Sequence, residues 1–218
     1  LGSGGNARRV SWSDRENNTV WTPAATNESG DIELATSGQI MQGVRARGTT
    51  LILTDTDAHM AQYIGPPYVY SFQRIGTHCG AVSRLSAVGT DQGVFWYGQE
   101  NFHYFDGNSV QTLKCDVHDY VFGDFNYAQQ SKVWGMANGA NSEIWWFYCS
   151  QNSVEIDRYV AYDTKENHWL IGNLSRTSGV SRGVFAYPFM SGESQETITL
   201  NVTVANDSGN KYFISGYD

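Results

Sequence analysis

Asp55-Thr56-Asp57-Ala58-His59 sets oxygen ligands at alternate positions, the spacing that a calcium loop uses. The Gly and the closing Glu that complete an EF-hand loop are missing, so the stretch reads as a turn whose Asp side chains cap their own backbone. Asp116-Val117-His118-Asp119, with Asp124 close by, offers one His and three carboxylates. A tetrahedral zinc site wants more His or Cys in closely spaced pairs, so this cluster reads as a solvated face. His78-Cys79 brings a base beside a thiol, but neighbours on a strand point to opposite faces, and Cys79 is expected to be buried and inert. G-x-S-x-G, P-loop and H-E-x-x-H patterns are absent. The expectation is a protein that is not an enzyme, with no catalytic residue, no cofactor and no metal. Carboxylates flanking aromatics could mimic a glycosidase cleft, and Trp and Tyr can stack on sugar rings. A carbohydrate-binding or glycan-cleaving module is therefore the alternative.

The 218 residues carry 14 Lys and Arg against 22 Asp and Glu, a formal net charge of -8. Gripping nucleic acid needs clustered basic residues, and here they gather only in pairs such as Arg45 with Arg47. An acidic surface suits solubility, or a passage through which DNA slides. Cys79, Cys115 and Cys149 are odd in number and widely spaced, which favours free thiols in a reducing compartment. Sequons at Asn17, Asn27, Asn173, Asn201 and Asn206 are what a chain rich in Asn, Ser and Thr produces by chance. Apolar runs stop far short of the roughly 20 residues of a membrane helix, so a soluble protein without a membrane span is expected. The chain begins Leu-Gly-Ser-Gly-Gly, which fits an internal piece of a longer protein or an added remnant.

The elements that must position these residues are strands. Only 17% of residues are charged, where about 25% is usual, and Gly, Trp and Tyr are plentiful. Short aromatic or β-branched runs flank Gly, Asn or Asp turns, the sign of hairpins. They are expected at Thr49–Thr54 with His59–Ile64, Val94–Gly98 with Phe102–Phe105, Glu143–Cys149 with Arg158–Tyr162, and Thr197–Val204 with Lys211–Ser215. Tyr63, Tyr104 and Tyr162 each close a strand before a polar turn, at a spacing near one four-stranded blade. Asp116 to Asn126 is the best helical stretch, expected to reach one or two turns because Gly123 and two valines interrupt it. The fold class is therefore all-β, with antiparallel β-propeller-like blades in a single region over 1–218 and units near 39–78, 80–115, 130–172 and 180–218. Leu51, Leu53, Val94, Trp96, Ile144, Trp146, Val160 and Tyr162 are expected between the sheets. Trp12, Trp21, Trp96, Trp134 and Trp169 are expected at or near strand ends.

Two ordered stretches carry a family likeness. The first holds Arg9 to Asp14, Trp21-Thr22-Pro23 and Gly30 to Leu34; the second holds Ile64 to Pro67, Phe72 to Gly76, Gly80, Phe95 to Gly98 and Phe105 to Val110. Their order resembles the propeller-bearing tail proteins of short-tailed bacteriophages, the nozzle, hub or DNA-stabilisation proteins beneath the portal. The likeness covers roughly the first half, persists at Val133 to Trp169 as a hairpin ending in Tyr162-Asp163, and fades beyond Ser175. It implies a structural virion protein of the tail, assembled in the host cytoplasm, with no catalytic residues. It also implies a homo-oligomeric ring, often hexameric, that contacts other tail, portal or adaptor proteins while DNA passes without specific binding. Asp91, Glu100, Asp106, Asp163 and Glu166 are then expected at turns on a rim or channel. The chain departs from that family in being short, with four or five blades at most.

Because both acidic clusters lack a complete ligand set, prolonged chelation should leave the thermal midpoint unchanged. A drop of many degrees would show that one of them holds a metal.

Overall fold

The computed structural model describes residues 2–181 and 188–192. Arg9–Trp12 (β1) and Gly30–Glu33 (β2) form an opening hairpin. Three antiparallel meanders follow, each a four-stranded sheet in chain order. The first sheet contains Ile40–Ala46 (β3), Thr49–Thr54 (β4), Asp57–Gly65 (β5) and Val69–Thr77 (β6). The second contains Ala87–Gly89 (β7), Val94–Tyr97 (β8), Phe102–Phe105 (β9) and Val110–Thr112 (β10). Trp134–Asn138 (β11), Glu143–Tyr148 (β12), Arg158–Asp163 (β13) and His168–Asn173 (β14) make the third. Ser178–Val180 (β15) pairs with Phe189–Ser191 (β16). The protein is all-β and antiparallel, as the alternation of apolar and polar residues implies. The hairpin expected at 197–204 and 211–215 lies outside the described residues, as does most of the unit at 180–218.

The first strands of successive sheets lie side by side: β3 against β7, β7 against β11 and β11 against β15. Gln42 ties two of them, its amide donating to the Ala87 carbonyl and accepting from the Ala87 N–H, both at 3.0 Å. The Gly135 N–H donates to the Leu85 carbonyl at 2.9 Å. A Cβ at Gly135 would meet Trp146 and Val88 at 2.7 Å, so only Gly lets β11 approach this closely.

Side chains of β8 fill both gaps between sheets. Val94 and Trp96 pack with Leu51, Leu53, Ala58 and Phe105 between the first and second sheets. Phe95 and Tyr97 pack with Ile144, Trp146, Tyr148 and Val160 between the second and third. All eight expected core residues are buried, Trp146 completely. Trp145-Trp146-Phe147-Tyr148 lies in a strand covered on both sides. Trp146 and Tyr148 face the second sheet, while Phe147 packs with Trp134 and Met136 on the far side.

Tryptophan placement is only partly at strand ends. Trp12 and Trp134 stand at ends of β1 and β11, and Trp96 and Trp169 one residue from ends of β8 and β14; the Trp96 indole N–H donates to the Cys79 carbonyl at 2.7 Å. Trp146 and Trp169 likewise donate to the Ser86 and Lys114 carbonyls at 2.8 and 2.9 Å, so these three indoles are paired, whereas the buried Tyr97 and Tyr148 hydroxyls have no hydrogen-bond partner. Trp21 is in the loop between β1 and β2 and is half exposed. The helical stretch forms one short helix, His118–Gly123 (α1), whose Val121 and Phe122 join the core between the second and third sheets.

Repetition shows in the turns. Asp106 Oδ1 accepts the N–H groups of Asn108 and Ser109 at 2.7 and 2.8 Å. Asp163 Oδ1 does the same for Lys165 and Glu166 at 2.8 and 2.9 Å. These backbone donors hold both carboxyls below the usual carboxylate range. Each Asp follows an aromatic at the close of the third strand: Asp106 comes just after Phe105 ends β9, and Asp163 is itself the last residue of β13, after Tyr162.

Truncating Trp146 to Ala should cost about 3–5 kcal/mol, because it opens a cavity between sheets and strands the Ser86 carbonyl. The shift in denaturant midpoint measures this. A loss below about 1 kcal/mol would contradict full burial.

Candidate functional site

A cleft of about 930 Å³ opens between the first two sheets, at the end where β4 turns into β5. Thr54 builds that turn. Its Oγ1 accepts the N–H groups of Thr56 and Asp57 at 3.1 and 2.7 Å and donates to the Asp57 carbonyl at 3.1 Å. Asp55 Oδ1 accepts the Gln39 N–H at 2.9 Å, which pins the loop ahead of β3 over the turn. Gly80 sits against the same turn, where an added Cβ would lie 2.1 Å from the Asp55 carbonyl carbon. The chain after β6 can cross here only as glycine.

Asp57 stands at the floor. It is 7% exposed, and its Oδ2 accepts the Thr36 hydroxyl at 2.9 Å. The Arg74 guanidinium approaches that oxygen to 3.9 Å, too far for a hydrogen bond, and its side chain is half exposed. His59 faces Arg74 across the β5–β6 register and is 3% exposed, with no hydrogen-bond partner at Nε2. Burial pulls its pKa below the ordinary value, although the Asp57 charge opposes this. Arg8 reaches the rim from the chain before β1, held by Glu33 and by the Thr36 carbonyl at 3.0 Å. Glu100 closes the opposite side from the β8–β9 turn.

The structure therefore brings Asp55, Asp57 and His59 to one place, but not as a cation loop: Asp55 is engaged with the backbone, and Asp57 with Thr36. The acidic cluster around α1 disperses. Asp116 lies 3.8 Å from Lys114 and Asp124 lies 3.3 Å from Arg158. His118 Nδ1 meets Asp119 at 3.0 Å and its Nε2 meets the Glu100 carbonyl at 2.7 Å. Two acceptors at one imidazole favour the protonated ring, and its pKa is raised, first by Asp119. Among the described residues, no group of three or more His, Cys, Asp or Glu is arranged to hold a metal ion.

His78 lines the cleft, whereas Cys79 turns into the core between the first and second sheets. Burial pushes the Cys79, Cys115 and Cys149 thiols each up to about 11, so none offers a ready thiolate. What the cleft offers is hydrogen bonding of both signs. Thr36 and Arg74 escaped the sequence argument as site residues. A signal for Arg74 exists, since it is the one Lys, Arg, Asp or Glu between Met60 and Ser83.

No protein-family model matches this sequence, and no curated protein matches it.

Acid should weaken the fold through a second buried imidazole, His103, which lies beside the Trp96 ring at 5.4 Å. Burial alone lowers its pKa to about 4, against about 6.5 in an unfolded chain. Between those values the unfolded chain holds the extra proton, so stability is present above about 6.5 and falls as pH drops toward about 4. The loss is about 3 kcal/mol, to which His59 adds in the same direction. Urea midpoints across this range should decline, and His103→Gln should flatten the decline; an unchanged slope would remove His103 as its cause.

Proposed function

We propose that this chain is a run of β-propeller blades from a bacteriophage tail, a structural component that joins neighbouring virion proteins around the DNA exit path. The observation that carries the reading is the arrangement of three successive four-stranded meanders with their first strands side by side. Blades of a propeller meet in this way, each burying one sheet face on the next.

Both ends of the stack continue the pattern. Val10 and Leu34, at the β1–β2 hairpin, pack on Ile52 and Ala61 of the first sheet, and β15 lies beside β11. Among the described residues two strands cover each end of the stack, which suits a piece of a larger ring. The ordered motifs between Arg9 and Val110 tie that ring to the tail nozzle and hub proteins. Thiols raised to about 11 argue against catalysis by a cysteine nucleophile.

Charge placement supports a conduit that DNA passes without being held. The first strands β3, β7, β11 and β15 carry a single charged side chain, Arg45. Of the acidic residues expected at a rim, Asp106 and Asp163 cap turns at one end of their sheets, and Glu100 stands at the opposite end of the second sheet. Each additional lumen-facing Lys or Arg would add a salt-sensitive phosphate contact.

Native mass measurement together with a DNA titration across a salt series tests this. The reading expects a closed multi-copy ring and double-stranded DNA binding weaker than micromolar at physiological salt. A strict monomer, or sub-micromolar DNA binding with a steep salt slope, would overturn it.

A further inference from the structure

The cleft beside the β4–β5 turn contains polar capacity that its own residues leave unused. A guanidinium carries five N–H donors, yet Arg74 forms one ion pair among the described residues, to Asp57 at 3.9 Å. A carboxylate has about four acceptor positions, and Asp57 receives one hydroxyl, from Thr36. His59, two residues along β5 from Asp57, is buried and does not line the cleft, so Arg74 and Asp57 carry the unused capacity. Donors and acceptors thus face one gap that the protein cannot close by itself.

We propose that this cleft binds a neutral polyhydroxylated ligand, a sugar unit, held between Arg74 and Asp57. Adjacent hydroxyls on a sugar ring can bridge the 3.9 Å separation, one donating to the carboxylate while its neighbour accepts from the guanidinium. Neutrality follows from the charges. Asp55, Asp57 and Glu100 repel an anion, and Arg8 and Arg74 repel a cation. A ligand with donors and acceptors but no charge satisfies both sets. The Thr36 hydroxyl is committed to Asp57, but the Thr56 hydroxyl can act as donor or acceptor, so one lining group adapts to either polarity.

The volume fits as well. About 930 Å³ lies at the upper end of ordinary small-ligand sites. No Trp, Tyr or Phe lines the cleft, so recognition rests on hydrogen bonds and not on ring stacking. Such a site binds a single short sugar weakly, and repeated copies in an assembly would convert weak sites into avidity. The inference is independent of the tail reading: a monomeric protein could hold the same ligand.

Ligand-observed NMR tests it, using neutral oligosaccharides of glucose, mannose, galactose and N-acetylglucosamine, with inorganic phosphate and agmatine as charged probes. At least one neutral oligosaccharide should bind with a millimolar Kd. Arg74→Gln should weaken it by about tenfold or more, the loss expected for charge-assisted hydrogen bonds. Arg74→Lys keeps the charge but loses the planar fork, and should also weaken binding. Arg74 is half exposed and supports no hydrogen bond, so both variants should melt close to the parent protein. The proposal fails if no neutral sugar binds, if binding ignores both substitutions, or if phosphate or agmatine is the Arg74-dependent ligand.

Discussion

Val94, Phe95, Trp96 and Tyr97 are shut off from water on both faces of their sheet, with exposures between 0% and 3%. A strand in that position has no solvent side on which to place an error. Sliding its pairing by one residue would send Val94 and Trp96 to the third sheet and Phe95 and Tyr97 to the first, where each meets the wrong shape. The register Trp96↔His103 and Val94↔Phe105 is therefore fixed by two cores at once. The next sheet repeats the device with Trp146↔Val160 and Ile144↔Tyr162. Large indoles make this arrangement demanding, because each buried N–H needs an acceptor. Carbonyls at Cys79 and Ser86 supply it. Both lie in the segment joining the first sheet to the second, so that connector is shaped by what the core requires.

The cleft is a consequence of the same connector. To present the Cys79 carbonyl to Trp96, the chain must leave β6 across the β4–β5 turn, and Gly80 is what permits the crossing. His78 is left outside and Cys79 inside. Asp57 then has the turn on one side, the Thr36 loop on another and Arg74 across the strand pair. The carboxylate is only partly satisfied in this spot, because the guanidinium stands 3.9 Å away, too far to complete its hydrogen bonds. Core packing thus sets the geometry of the polar site, and the site contributes little to the packing.

Alternation and turn chemistry made much of the architecture readable from residues alone. Leu51 and Leu53, Val94 and Trp96, and Ile144 and Trp146 each stand two apart, which is the period of one strand face. Asp-centred turns after Phe105 and Tyr162 mark sheet ends because an Asp side chain capping its own turn is a local event. The polar site was much less legible. Thr36 reaches Asp57 across 21 residues, and Arg74 reaches it through strand pairing. Neither contact follows from local spacing. Nothing in the sequence shows that the Trp96 donor must find a backbone carbonyl 17 residues away. Acceptors on the main chain carry no residue signature.

Backbone amide hydrogen exchange tests the central constraint most directly. If double-sided burial of β8 and β12 holds the sheets together, their amides should exchange slowest, at rates set by global unfolding. The outer strands β10 and β14, whose residues are largely exposed or half-buried, should exchange much faster. Exchange in β8 as fast as in β10, under conditions where the protein remains folded, would contradict the account.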